Sequence, residues 1–86
     1  MDVRTSIAAH TLAGLAKGDR ARIAAIATED SSLATKLREM GFSEGDSVEL
    51  VTRGPFGGQP LAVRLNRTLI AMRLSEAAAI AVVADV

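Results

Sequence analysis

The sequence predicts a mainly β domain, a small barrel of about five short strands with an α-helix inserted over about residues 31–40 and a short helical turn near the C-terminus. Three observations carry this. Short runs of alternating apolar and polar residues recur along the chain, at 20–26, 47–52, 61–65, 68–73 and 79–83. Glycine, proline, asparagine and aspartate fall between the runs, where turns belong. One segment alone has a clear helical period, with Leu33, Leu37 and Met40 at i, i+4 and i+7.

Taken in order, the opening is the least informative part. Residues 1–10 read as a loose segment, and Ile7 and Leu12 are the apolar residues that could pack. Lys17-Gly18-Asp19 is a turn. In the first strand Ala21, Ile23 and Ala25 share one face, Arg20 and Arg22 share the other, and Ile26 breaks the alternation, which places a bulge or strand end nearby. Glu29-Asp30-Ser31-Ser32 is a helix start in which Asp30, Ser31 or Ser32 can cap the free N–H groups. Gly41 sits where the helix stops, in the left-handed conformation that glycine adopts cheaply, with Phe42 placed to fold back onto the last turn. Gly45-Asp46 opens the second strand with the chemistry already used at Gly18-Asp19.

The run RGPFGGQP at 53–60 has three glycines and two prolines in eight residues and reads as a loop, with Gly54 as a turn residue and Phe56 at its centre. Asn66-Arg67 suits a two-residue hairpin turn, because asparagine tolerates a left-handed backbone. Ser75 would cap the short helical turn before the last strand. This order, with the helix after the first strand and a tight hairpin late, fits an SH3-like barrel. An OB-fold is the alternative, but its helix falls where this chain has the 66–67 hairpin.

Eighty-six residues make a single domain over 1–86. Formal net charge is zero, without the basic excess of a nucleic-acid binder, and the two phenylalanines are too few for a base-stacking platform. There is no cysteine, and His10 is the single histidine, so the sequence offers neither a usual transition-metal site nor a nucleophilic triad. The carboxylates lie at turns, at a helix start and on strand faces, where solvated acids belong, so no catalytic residue and no cofactor is assigned. No segment approaches the length of a membrane span, and a cytoplasmic protein that meets the membrane only through a partner is expected.

What remains is a surface. Eight of the ten basic residues are arginine, the favoured cation at protein interfaces. Arg53, Phe56, Arg64 and Arg73 lie on or beside the 53–60 run and its flanking strands and form the candidate partner contact. The alternative reading is a scatter of solvated arginines.

Three motifs together resemble the FeoA family: LREMGFSEGD at 37–46, GPFGGQP at 54–60, and LIAMR at 69–73 followed by Glu76-Ala77. The opening, from Thr11-Leu12 to Gly18-Asp19 and Ile23, is similar too, so the resemblance spans about residues 11–84. Glu44, where the family often has proline, and Asn66-Arg67, where it often has glycine, alter turn stiffness and not chemistry. The resemblance implies an SH3-like barrel and a small, non-enzymatic cytosolic protein of bacterial ferrous iron uptake. It implies regulation by contact with the large membrane transporter FeoB, at the inner membrane. Two further roles follow from that setting: weak transition-metal binding or delivery through carboxylates and His10, and modulation of GTP hydrolysis by an arginine, Arg53 or Arg73.

Overall fold

The structure, a computed structural model, describes residues 10–85. Residues 1–9 of the expected loose N-terminal segment, with the packing of Ile7, lie outside these residues; its last residue, His10, is tied to the domain by a hydrogen bond from the Val82 N–H to its carbonyl. Leu12 is fully buried, in a 3-10 turn over Leu12–Gly14.

Five strands form one antiparallel sheet, β1 (Arg20–Ile26), β2 (Ser47–Phe56), β3 (Gln59–Leu65), β4 (Thr68–Met72) and β5 (Ile80–Ala84), in the order β4-β3-β2-β1-β5. Helix α1 (Ser31–Glu39) joins β1 to β2, and the short α2 (Leu74–Ala77) joins β4 to β5. The mainly β class and the inserted helix agree with the sequence. The break anticipated near Ile26 is a register shift between Ile23 and Ala25 in the β1–β5 ladder.

Helix α1 begins and ends as its sequence dictates. The Asp30 carboxylate accepts hydrogen bonds from the N–H groups of Ser32 (3.0 Å) and Leu33 (3.1 Å), which satisfies two of the donors left open at a helix start. At the other end Gly41 takes a φ of +109°. The Gly41 N–H then bonds to the Arg38 carbonyl and the Phe42 N–H to the Leu37 carbonyl, the paired bonds of a Schellman cap. Phe42, 1% exposed, is delivered by that cap into the core cluster that also holds Leu37, Leu50, Leu61 and Ile80.

The two Gly-Asp turns hold each other's strands. The Gly18 N–H donates to the Leu50 carbonyl, and the Leu50 N–H to the Asp19 carbonyl. In the same way the Gly45 N–H donates to the Ile23 carbonyl, and the Ile23 N–H to the Asp46 carbonyl. Each turn therefore closes one end of the β1–β2 ladder against the strand that the other turn opens. Both glycines have φ near +90°, which explains glycine at both positions.

Helix α2 departs from the expected cap. Arg73, not Ser75, is the N-cap residue, and Ser75 lies inside the helix. The Arg73 N–H donates to the Glu76 carboxylate (2.8 Å) and the Leu74 N–H to the Gln59 side-chain carbonyl (2.8 Å), so acceptors at α2's third helical position and on β3 satisfy the helix start.

Candidate functional site

The run read as a loop is mostly strand. β2 continues to Phe56 and β3 begins at Gln59, leaving a two-residue turn at Gly57-Gly58. Both turn residues have positive φ (65° and 82°), as a tight hairpin turn of this length favours. Pairing passes from Arg53↔Leu61 to Phe56↔Gln59 with a register shift between them. Two residues of β2, Gly54 and Pro55, thus face one residue of β3, Pro60. A proline in such a bulge has no ladder N–H to supply, which is why it does not end the strand. Gly54 is required by close approach. A Cβ built there would lie 2.3 Å from the backbone oxygen of Gln59. The density of glycine and proline therefore marks a tightly apposed, bulged hairpin.

At the tip of this hairpin Phe56 is 77% exposed. The hairpin is tied down at its base by Arg53. The Arg53 guanidinium donates to the backbone carbonyls of Ala13 and of Leu15 (2.8 Å), across to the 3-10 turn. It is half-buried and engaged inside the fold, unlike the free surface arginine of the sequence reading.

The other candidates divide into two places. Arg73 is exposed and opens α2, and the bond from Leu74 to Gln59 holds that helix start against the hairpin residue that pairs with Phe56. Phe56, Arg73, the exposed Leu74 and the exposed Pro60 thus share one end of the domain. Arg64 sits elsewhere, on the outer face of the sheet, where its guanidinium lies 3.2 Å from Glu49; Arg20 approaches the same carboxylate at 3.9 Å. A shallow cleft of about 240 Å³ runs here, lined among others by Arg20, Glu49, Arg64 and Asp85. Asp85 is occupied by Arg22 (2.8 Å) and by the Ser47 hydroxyl (2.9 Å), so the cleft's charges largely satisfy each other.

Beneath the Phe56 end lies a buried carboxylate. Glu76 is 8% exposed and meets the Lys36 ammonium of α1 at 2.6 Å. The hydrogen bond from Lys36 and the N–H of Arg73 hold its carboxyl below the usual range, against the opposing effect of burial. Leu74, Gln59 and the Lys36–Glu76 pair were missed in the sequence because each acts through a partner far along the chain. Among the described residues no group of three His, Cys, Asp or Glu side chains could hold a metal ion, and no helix is long and apolar enough to cross a membrane.

The FeoA domain model matches residues 10–84. A FeoA of Stenotrophomonas maltophilia, an SH3 domain protein solved in complex with zinc, is 37% identical to this chain. The match covers 86% of this chain and 89% of that one, with a TM-score of 0.75. The FeoA protein of Chlorobium tepidum is 30% identical, with 88% of this chain and 70% of that one covered and a TM-score of 0.75. A manganese-dependent transcriptional repressor, 21% identical, shares the fold over 87% of this chain and 41% of its own length, at a TM-score of 0.78. A comparison with curated proteins finds no match.

Proposed function

This chain belongs to the FeoA family, and from that premise we propose that it is a small accessory protein of ferrous iron uptake that docks on the cytosolic part of an FeoB-type transporter. Its role is non-enzymatic, and it reaches the membrane only through that partner. The observation that carries the reading is Phe56, an aromatic side chain 77% exposed at the tip of a hairpin whose base is bonded into the core. A large apolar group held out in this way supports docking, because aromatic residues anchor protein interfaces when a partner pocket desolvates them. Arg73 and Leu74 supply a charged and an apolar neighbour at the same end of the domain.

Two alternatives are weighed on the same residues. Of the arginines that could act on a GTPase, Arg53 is engaged with backbone carbonyls, whereas Arg73 is exposed. A GTPase test therefore belongs to Arg73→Ala. Metal delivery has less support, since the described carboxylates do not gather into a binding group.

The test is co-purification of the protein with its transporter from detergent-solubilised membranes, with and without guanine nucleotide. Retention that survives nucleotide removal is the outcome expected of an assembly subunit, and nucleotide-dependent retention that of a regulator. Absence of the transporter from the eluate under every nucleotide condition would refute docking.

A further inference from the structure

The two edges of the sheet are treated differently. Beyond β5 the chain lays residues 10–11 along the edge: the Val82 N–H donates to the His10 carbonyl, and Thr11 bridges to Ala81. β4 pairs with β3 alone, and among the described residues no backbone group meets its outer side. The hairpin register fixes which groups are left over. Leu65↔Thr68 flanks a two-residue turn and is a hydrogen-bonded pair, so Val63↔Ile70 and Leu61↔Met72 are bonded pairs too. The N–H and C=O groups of Leu69 and Ala71 therefore point away from β3, out of the sheet.

This edge lacks the usual protection. Its residues, Thr68-Leu69-Ile70-Ala71-Met72, include no charge and no proline, and Leu69 is 61% exposed. The charges stand at its two ends. Arg67 and Arg73 are both exposed, and neither guanidinium has a hydrogen-bonded or ion-paired partner among the described residues. A second copy of this chain pairing antiparallel about Ile70 would set Arg67 opposite Arg73 at both ends. Like charges directly opposed destabilise a strand pair.

We propose that the β4 edge is a docking site for an extended segment of another protein, added as a sixth antiparallel strand, with apolar side chains against Leu69 and carboxylates at its ends facing Arg67 and Arg73. Main-chain bonds to Leu69 and Ala71 give the affinity, and the arginines give the register and the choice of an acidic partner. The inference does not rest on the transporter reading: the strand edge and Arg67 lie apart from Phe56, and Arg73 is the one residue that both surfaces share.

The experiment is amide hydrogen exchange on the full-length, isotope-labelled protein. The probe is a synthetic peptide of alternating valine and threonine with glutamates at both ends. Saturating peptide is expected to slow exchange at Leu69 and Ala71 by at least about tenfold and to leave Ile70, already bonded to Val63, nearly unchanged. Ala71→Pro removes an outward N–H that the ladder does not use, so the fold should melt as before while peptide affinity falls at least about tenfold. Should that variant not fold, the charge-reversed pair Arg67→Glu with Arg73→Glu serves instead, and should prefer a lysine-ended peptide by roughly tenfold. Absence of peptide binding, protection away from β4, or a free protein that already dimerises through these amides would each overturn the proposal. Co-purification with the transporter, if abolished by Phe56→Ala and retained by Ala71→Pro, keeps the two surfaces distinguishable.

Discussion

Replacing Phe56 with alanine separates a docking residue from a structural one. Full burial of a phenylalanine contributes about 1.5–3 kcal/mol relative to exposure. With 77% of the residue exposed, about a quarter of that amount, roughly 0.5 kcal/mol, is realised in the free protein. For a domain of this size such a loss lowers the melting temperature by about 2–4 °C. The remainder, about 1–2 kcal/mol, becomes available when a partner covers the ring, which corresponds to an affinity loss of about 5–30-fold in the variant. Thermal melts of the two proteins and a binding titration against the solubilised transporter measure both sides. A fall of about 10 °C or more would show that Phe56 stabilises the fold. An unchanged Kd would show that the tip does not dock, whatever its exposure.

The other expectations concern how the tip is held. Gly54→Ala drives a Cβ to 2.3 Å from the Gln59 backbone oxygen, so the strands must separate; a loss of about 1–3 kcal/mol is expected from chemical denaturation, with the Phe56–Gln59 pairing weakened in NMR spectra. Arg53→Ala leaves the Ala13 and Leu15 carbonyls without their donor and should cost about 2 kcal/mol in the denaturation midpoint analysis, with Arg53→Lys recovering part of it. Glu76→Gln keeps an acceptor for the Arg73 N–H but loses the ion pair, at about 1 kcal/mol near neutral pH, since Lys36 is largely in solvent. The pH dependence has a definite sign. The folded-state pKa of Glu76 is lowered from 4.5, so the pair's contribution is complete above that value and lost as pH falls through the lowered one. Melting temperatures of wild type and Glu76→Gln should therefore differ at neutral pH and converge in acid.

What could be read from the sequence was set by residues close together along the chain. The Asp30 cap, the Gly41–Phe42 stop, the paired Gly-Asp turns and the Asn66 turn, with its φ of +57°, each depend on neighbours within a few positions. The 53–60 run was misread because its glycine content answers to the opposite strand: Gly54 is needed for the nearness of Gln59, which is a matter of register. Arg53 looked like a surface cation because its acceptors, Ala13 and Leu15, lie about forty residues earlier. Ser75 looked like a cap by residue type, but Glu76 and Gln59 already supply the acceptors that the helix start needs.

These nonlocal ties bear on why an exposed phenylalanine suits recognition. A flexible loop carrying Phe56 would lose backbone freedom on docking, at about 1–2 kcal/mol for each residue ordered, enough to cancel what the ring gains by burial. In this fold the cost is largely met beforehand. Gly57-Gly58 closes a tight turn, Gly54 lets the strands touch, Arg53 bonds the base to the 3-10 turn, and Gln59 bonds the same hairpin to α2. Loosening any of these should weaken docking, because the ring would then have to be ordered at the moment of binding. Arg53→Ala is the discriminating case. If its transporter affinity falls while Phe56 stays as exposed as before, preorganisation of the hairpin accounts for the loss; if affinity is unchanged in a destabilised variant, the tip binds as a flexible segment and the stiffness serves the fold alone.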